Sequence, residues 1–242
     1  MSGGVQAVVF DWGGTLTPWH TIDLAEQWRV FALAHPAHAH EAEEVVARVL
    51  AAEDEAWARA RSHGGSARIA EVLTAAGVAD DDAEAAHSAY REFWEPHTLL
   101  DPEVPLLWEA LRDRGIRIGV LSNTLWSREY HDSIFRRDGV LHLVDGAVYT
   151  SELAVAKPHP EAFGAALAAV GVTDPARAVF VGDRPFEDVH GAHQVGMRAV
   201  LVPHSDIPLS QQVVGRGRDD VRPDAVVQRL GEVLDIVDGW NS

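Results

Sequence analysis

Cysteine is absent from these 242 residues, and lysine occurs once, at Lys157, among 20 basic residues. Without a thiol there is neither a disulfide framework nor a cysteine nucleophile, which suits a cytoplasmic setting. Basic residues are outnumbered by 37 acidic ones, giving a formal charge of −17. So acidic a chain, with no basic stretch, is a poor partner for nucleic acid or an anionic membrane surface. No run of about 18 apolar residues is present, as a membrane span would need. The start, Met1-Ser2-Gly3-Gly4, lacks the basic and apolar regions of a secretory signal. What remains is a chain with a 47% hydrophobic share, ample for one large α/β domain or a core with a small second module.

The organising stretch is Ala7-Val8-Val9-Phe10-Asp11-Trp12-Gly13-Gly14-Thr15-Leu16-Thr17. Its apolar, β-branched and aromatic start reads as a buried strand that ends in a carboxylate and two glycines. Ligands of open α/β sheets bind at the carboxyl ends of strands, so Asp11 is placed for chemistry. Gly13 and Gly14 allow a sharp turn and a close backbone approach.

Helical spacing follows over 21–34, 41–61, 66–76 and 81–95, with no strand expected between 18 and 97. So long a helical stretch exceeds one crossover and predicts a separate small module. From 104 the pattern becomes regular: helices near 104–114, 126–137, 160–170 and 185–195 alternate with strands near 116–121, 147–149, 178–181 and 199–202. A short apolar run at 225–227 and a helix to about 238 close the chain. Alternation of this kind predicts a doubly wound parallel sheet covered on both faces.

Three more strand ends carry polar groups. Ser122-Asn123-Thr124 follows one strand and suits either a helix cap or a phosphate. Lys157-Pro158 precedes a helix, where an ammonium can neutralise a phosphoryl oxygen or merely face solvent. Gly182-Asp183-Arg184-Pro185-Phe186-Glu187-Asp188 places one acid at a strand tip and another at the start of the next helix. With Asp11 these acids form a hard, oxygen-rich set of the kind that holds Mg²⁺.

These four ordered segments resemble the motifs of the haloacid dehalogenase superfamily. The resemblance covers the whole chain, with 1–16 and 98–242 as the Rossmann-like α/β core and 17–97 as an inserted all-helical C1 cap. It implies a Mg²⁺-dependent phosphatase for a small phosphorylated metabolite, with Asp11 as the nucleophile that forms an aspartyl phosphate. Ser122 and Lys157 would hold the transferring oxygens, and Asp11, the Gly13 carbonyl, Asp183 and Asp188 would hold the metal. Trp12, Gly14, Asn123, Trp19, His20 and Arg61 are candidate substrate contacts, the last three with the cap. The family's phosphatases usually carry a second Asp two positions after the nucleophile, to move a proton to and from the leaving group. Gly13 stands there, which implies a slow enzyme, a good leaving group, or a substitute such as His20 or Glu187.

Two other readings follow from that departure. A 2-haloacid dehalogenase lacks the second Asp as well, though without keeping the Gly-Asp pair seen at Gly182-Asp183. A non-catalytic metal- or phosphate-binding module belongs to another class. A phosphonoacetaldehyde hydrolase would need a cap lysine, and none lies in 17–97. Trp28, Trp57 and Trp94 read as packing residues. The tract His35-Pro36-Ala37-His38-Ala39-His40 reads as a hydrated loop without a carboxylate partner.

Overall fold

The structure, a computed structural model, describes residues 4–18, 22–63, 65–78, 83–203 and 221–242, with the backbone alone over 60–63. Trp19, His20, the Arg61 side chain and most of the loop at 204–223 therefore lie outside the described residues.

Runs of β-branched and aromatic residues, apolar on both faces, make the sheet. Strands β1 (Ala7–Phe10), β2 (Arg117–Ser122), β3 (Gly146–Tyr149), β4 (Ala178–Gly182), β5 (Arg198–Leu201) and β6 (Ala225–Val226) pair in the order β3-β2-β1-β4-β5-β6. Every pairing is parallel. Alternation along the strands divides the interior. Val8 and Phe10 of β1 and Val179 and Val181 of β4 join one apolar cluster. Ala7, Val9, Ala178 and Phe180 join the cluster on the other face. The sheet is thus doubly wound, and its topological switch point falls between β1 and β4.

Helices α1 (Leu24–Ala34), α2 (Ala42–His63), α3 (Ile69–Ala75) and α4 (Glu84–Trp94) lie between β1 and β2 in the chain. Asp23 starts α1 by accepting from the Ala25 N–H. This segment meets the sheet domain at a short junction. Gly65 pairs with Val155, the Ser66 hydroxyl donates to the Thr150 carbonyl, and Arg68 Nε donates to the Ser151 carbonyl at 2.7 Å. Helices α5 (Val104–Asp113), α6 (Arg128–Arg137), α7 (Pro160–Ala169), α8 (Gly191–Gln194) and α9 (Val233–Asn241) complete the chain. Among the described residues no helix is long and apolar enough to cross a membrane.

Two local expectations are corrected. In place of a regular helix over 185–195, Pro185–His190 forms a π-helical turn that runs into α8. Both Asp188 N and Val189 N donate to the Arg184 carbonyl, at 3.0 and 3.4 Å, so the turn holds one residue more than an α-helical one. The histidine tract is the expected inter-helix loop, with Pro36, Ala37, Ala39 and His40 exposed, but it does have a carboxylate partner. His35 is buried against Phe31 and His38, and His38 Nδ1 lies 2.7 Å from Glu41 Oε1, a carboxylate partner one turn away.

Candidate active site

Register brings the polar strand ends level. Phe10 is the partner of both Val120 and Val181, so the residues that follow β1, β2 and β4 emerge along one edge. The Asp11 N–H donates to the Val181 carbonyl at 2.8 Å, which locks the nucleophile candidate to the end of β4. Beyond it the chain turns tightly: the N–H groups of Leu16 and Thr17 donate to the Trp12 carbonyl at 2.9 and 3.1 Å. Gly14 has φ of 86°, a conformation an L side chain rarely adopts, so this position in the turn needs glycine.

Lys157 is buried between two carboxylates. Its Nζ donates to Asp11 Oδ1 at 2.6 Å and to Asp188 Oδ1 at 2.7 Å. Burial alone favours the neutral amine, but the charges and hydrogen bonds of Asp11 and Asp188 outweigh it and hold the pKa above the ordinary lysine value. Asp188 reaches this position because of the π-helical turn and because Gly182 has no side chain. A Cβ on Gly182 would collide with the Asp188 carboxylate. The second Asp188 oxygen accepts from the Arg184 N–H at 2.9 Å. Burial raises the Asp188 pKa, and the negative charge of Asp11 adds to the rise against the pull of Lys157.

Asp183 completes the group in a different state. Both of its carboxylate oxygens are buried with no hydrogen-bond partner, and Arg184 Nε stands 4.0 Å from Oδ1. Burial, then the charges of Asp11 and Asp188, push its pKa well above the ordinary carboxylate value. One oxygen from each of Asp11, Asp183 and Asp188 lies within 4.8 Å of the others, and this is the one set of three metal-capable side chains among the described residues. An all-oxygen donor set with an unsatisfied buried carboxylate fits a hard divalent cation.

The remaining candidates are distributed unevenly. Ser122 is buried at the end of β2, on the same sheet edge. Asn123 turns to the Lys157 main chain, accepting from its N–H at 2.8 Å and donating to its carbonyl at 3.1 Å. Gly14 spends its N–H on the Thr17 carbonyl at 3.1 Å. Trp12 packs edge-on against Trp126 and His131, with ring centroids 5.5 and 5.0 Å away, so its ring belongs to an aromatic cluster. Glu187 Oε2 is 3.4 Å from Asn123 Nδ2 and 3.8 Å from Arg184 Nη1. Arg184 escaped the reading of the sequence, although an arginine directly after a strand-end acid was a visible sign. A Cβ built on Gly13 meets nothing within 4 Å, so a side chain there has room.

Asp11, Lys157, Asp183 and Asp188 are thus gathered at the switch point of a parallel α/β sheet, where such sheets bind their ligands. The model of the haloacid dehalogenase-like hydrolases matches residues 5–196, and the chain belongs to that family. It is 34% identical over 134 residues to the glyceraldehyde 3-phosphate phosphatase of Methanopyrus kandleri, covering 55% of this chain and 54% of that one. The chain thus spans about half the length of the curated relatives it matches. Among solved structures it is similar to a 2-haloacid dehalogenase from Pseudomonas syringae pv. Tomato DC3000, with TM-score 0.66 and 26% identity, covering 98% of this chain and 99% of that one. It shares the fold of a HAD phosphatase from Thermococcus onnurineus at TM-score 0.64 and 21% identity, covering 98% of this chain and 100% of that one.

Proposed function

We propose that the chain is a Mg²⁺-dependent phosphatase for a small phosphorylated metabolite, working through Asp11. The observation that carries this reading is Asp183, a buried carboxylate without a hydrogen-bond partner, set beside an Asp11–Lys157–Asp188 triad that already neutralises part of its own charge. A group that wants a cation and a group that can grip a phosphoryl oxygen then share one strand edge.

In this reading an Asp11 carboxylate oxygen attacks phosphorus and the ester P–O bond breaks. Lys157, bonded to Oδ1 of Asp11, lies where it can also meet a phosphoryl oxygen, and the Ser122 hydroxyl takes another. Water then hydrolyses the aspartyl phosphate to free Asp11 and orthophosphate. Asp11, Asp183, Asp188 and the Gly13 carbonyl would hold the metal, which when bound screens repulsion between the two anions and stabilises charge in the transition state. Helices α1 to α4 serve as the cap over the site, with 17–97 as its extent.

Gly13 offers no proton, so the departing oxygen takes one from solvent or leaves as a stable anion. The absence of an acid at Gly13 and the likeness to a dehalogenase support a second reading, attack of Asp11 on the halogen-bearing carbon of a 2-haloacid. One assay separates the two. Phosphate release from an aryl phosphate, dependent on Mg²⁺ and lost in Asp11→Asn, is expected; chloride release from 2-chloropropionate with no phosphate release would replace it. Gly13→Asp, which has room for its side chain, should raise kcat on poor leaving groups, where general acid catalysis is worth about 10²-fold or more.

A further inference from the structure

We propose that Asn123 is a positioning residue that acts through Lys157 and leaves the substrate to others. Its amide spans two segments 34 positions apart: Oδ1 accepts the Lys157 N–H at 2.8 Å, and Nδ2 donates to the Lys157 carbonyl at 3.1 Å. Gripping one residue's N–H and C=O together fixes the position and the rotation of that residue's backbone. The side chain so aimed must cross to Asp11 and Asp188, bonds of 2.6 and 2.7 Å that leave little latitude. Glu187 fixes the orientation of the clamp itself. Its Oε2, 3.4 Å from Nδ2, meets the donor end of the amide, so rotating Asn123 by half a turn would set oxygen against oxygen at both Glu187 and the Lys157 carbonyl. Asn123 sits directly after β2, Lys157 between β3 and α7, and Glu187 in the π-helical turn after β4. One amide therefore ties together three strand ends that the sheet alone brings only to the same edge. With both Nδ2 hydrogens engaged this way, Asn123 has no donor to offer a phosphoryl oxygen without releasing Lys157 or Glu187.

The composition supplies an unusually clean probe. Because Lys157 is the one lysine in the chain, ¹⁵N-lysine labelling gives a single side-chain ammonium signal. In the native protein we expect that signal to exchange slowly with water. In Asn123→Ala it should exchange at least ~10-fold faster, since outer supporting contacts commonly carry 10- to 100-fold effects. The kinetic arm rests on the phosphatase reading: kcat on an aryl phosphate should fall on the order of 10²-fold with KM within about twofold, as expected when a reacting group is misplaced. Asn123→Ser, whose side chain is too short to span both the Lys157 N–H and carbonyl, should lose the clamp as well, and it stands in should the alanine variant fail to fold. Unchanged exchange of the Lys157 ammonium in both variants would overturn the proposal. So would a rise in KM with kcat retained, the mark of a substrate contact. Retention of full activity in Asp11→Asn would sink the phosphatase reading alone, because the exchange measurement needs neither substrate nor metal.

Discussion

Two buried polar clusters lie a few residues apart in this protein and are built on opposite rules. In the helical segment and its junction with the core, each of four such groups has found a partner. Trp28 Nε1 donates to Glu53 at 2.8 Å, Trp94 Nε1 to Gln27 at 3.0 Å, and Trp126 Nε1 to the Tyr90 hydroxyl at 3.1 Å, which itself bonds Gln27 at 3.4 Å. At the sheet edge two carboxylates share one ammonium, and the third, Asp183, has no hydrogen-bond partner and only Arg184 Nε at 4.0 Å. A satisfied buried network repays its desolvation and specifies a packing; an unsatisfied charge costs stability and persists where function requires it. Unpartnered atoms also lie beside the first cluster, at Trp12 Nε1 and His131 Nδ1, but these are neutral groups; an unpartnered carboxylate is what supports placing the proposed function at the second.

Removing the shared cation should break the comparison most severely. Lys157→Met leaves Asp11 and Asp188 buried and uncompensated, and we expect a loss of about 3–5 kcal/mol in urea unfolding. The opposite sign is expected one residue group away. Asp183→Asn removes a carboxylate that burial and two neighbouring charges disfavour, so stability at pH 7 should rise by about 1–2 kcal/mol while phosphate release is lost. A stability loss in that variant would show that Asp183 is held by something other than a missing cation.

A pH series sharpens the boundary between the clusters. His131 is fully buried, and desolvation, with a smaller push from Arg128, lowers its pKa to about 3. The unfolded chain binds a proton there below about pH 6.5 while the folded one does not, so stability falls as pH drops from about 6.5 toward 3. His131→Phe should remove about 2 kcal/mol of that fall between pH 6.5 and 5; equal slopes in both proteins would mean that His131 charges in the folded state. The smallest effect belongs to the satisfied network. Trp126→Phe deletes the bond to Tyr90 and should cost about 1 kcal/mol, read from unfolding curves, with kcat little changed. A large drop in kcat would tie the seating of α4 to the chemistry.

Much of this was legible in the chain. The β-branched runs that end in Asp11, Ser122 and Asp183 give strands by local preference, and their alternation with helices implies a parallel sheet, so the strand-end position of each polar group follows from order alone. Asp188 was legible as a candidate metal ligand but not as a partner of Lys157. Its place depends on a π-helical turn and on Gly182 yielding space, and periodicity assigns an ordinary helix there. Asn123 likewise carries no local sign of its use, since a cap, a phosphate contact and a backbone clamp all call for the same amide.

The sequence by itself determined the acidic character, the element order, the single lysine and the acids that stand at strand ends. Tertiary structure alone decided that Lys157 lies between Asp11 and Asp188, that Asp183 has no hydrogen-bond partner, and that Asn123 holds the lysine's backbone. The division has one physical cause: strand and helix preferences act over a few neighbouring residues, whereas pairing among buried charges depends on which distant segments the sheet register sets side by side.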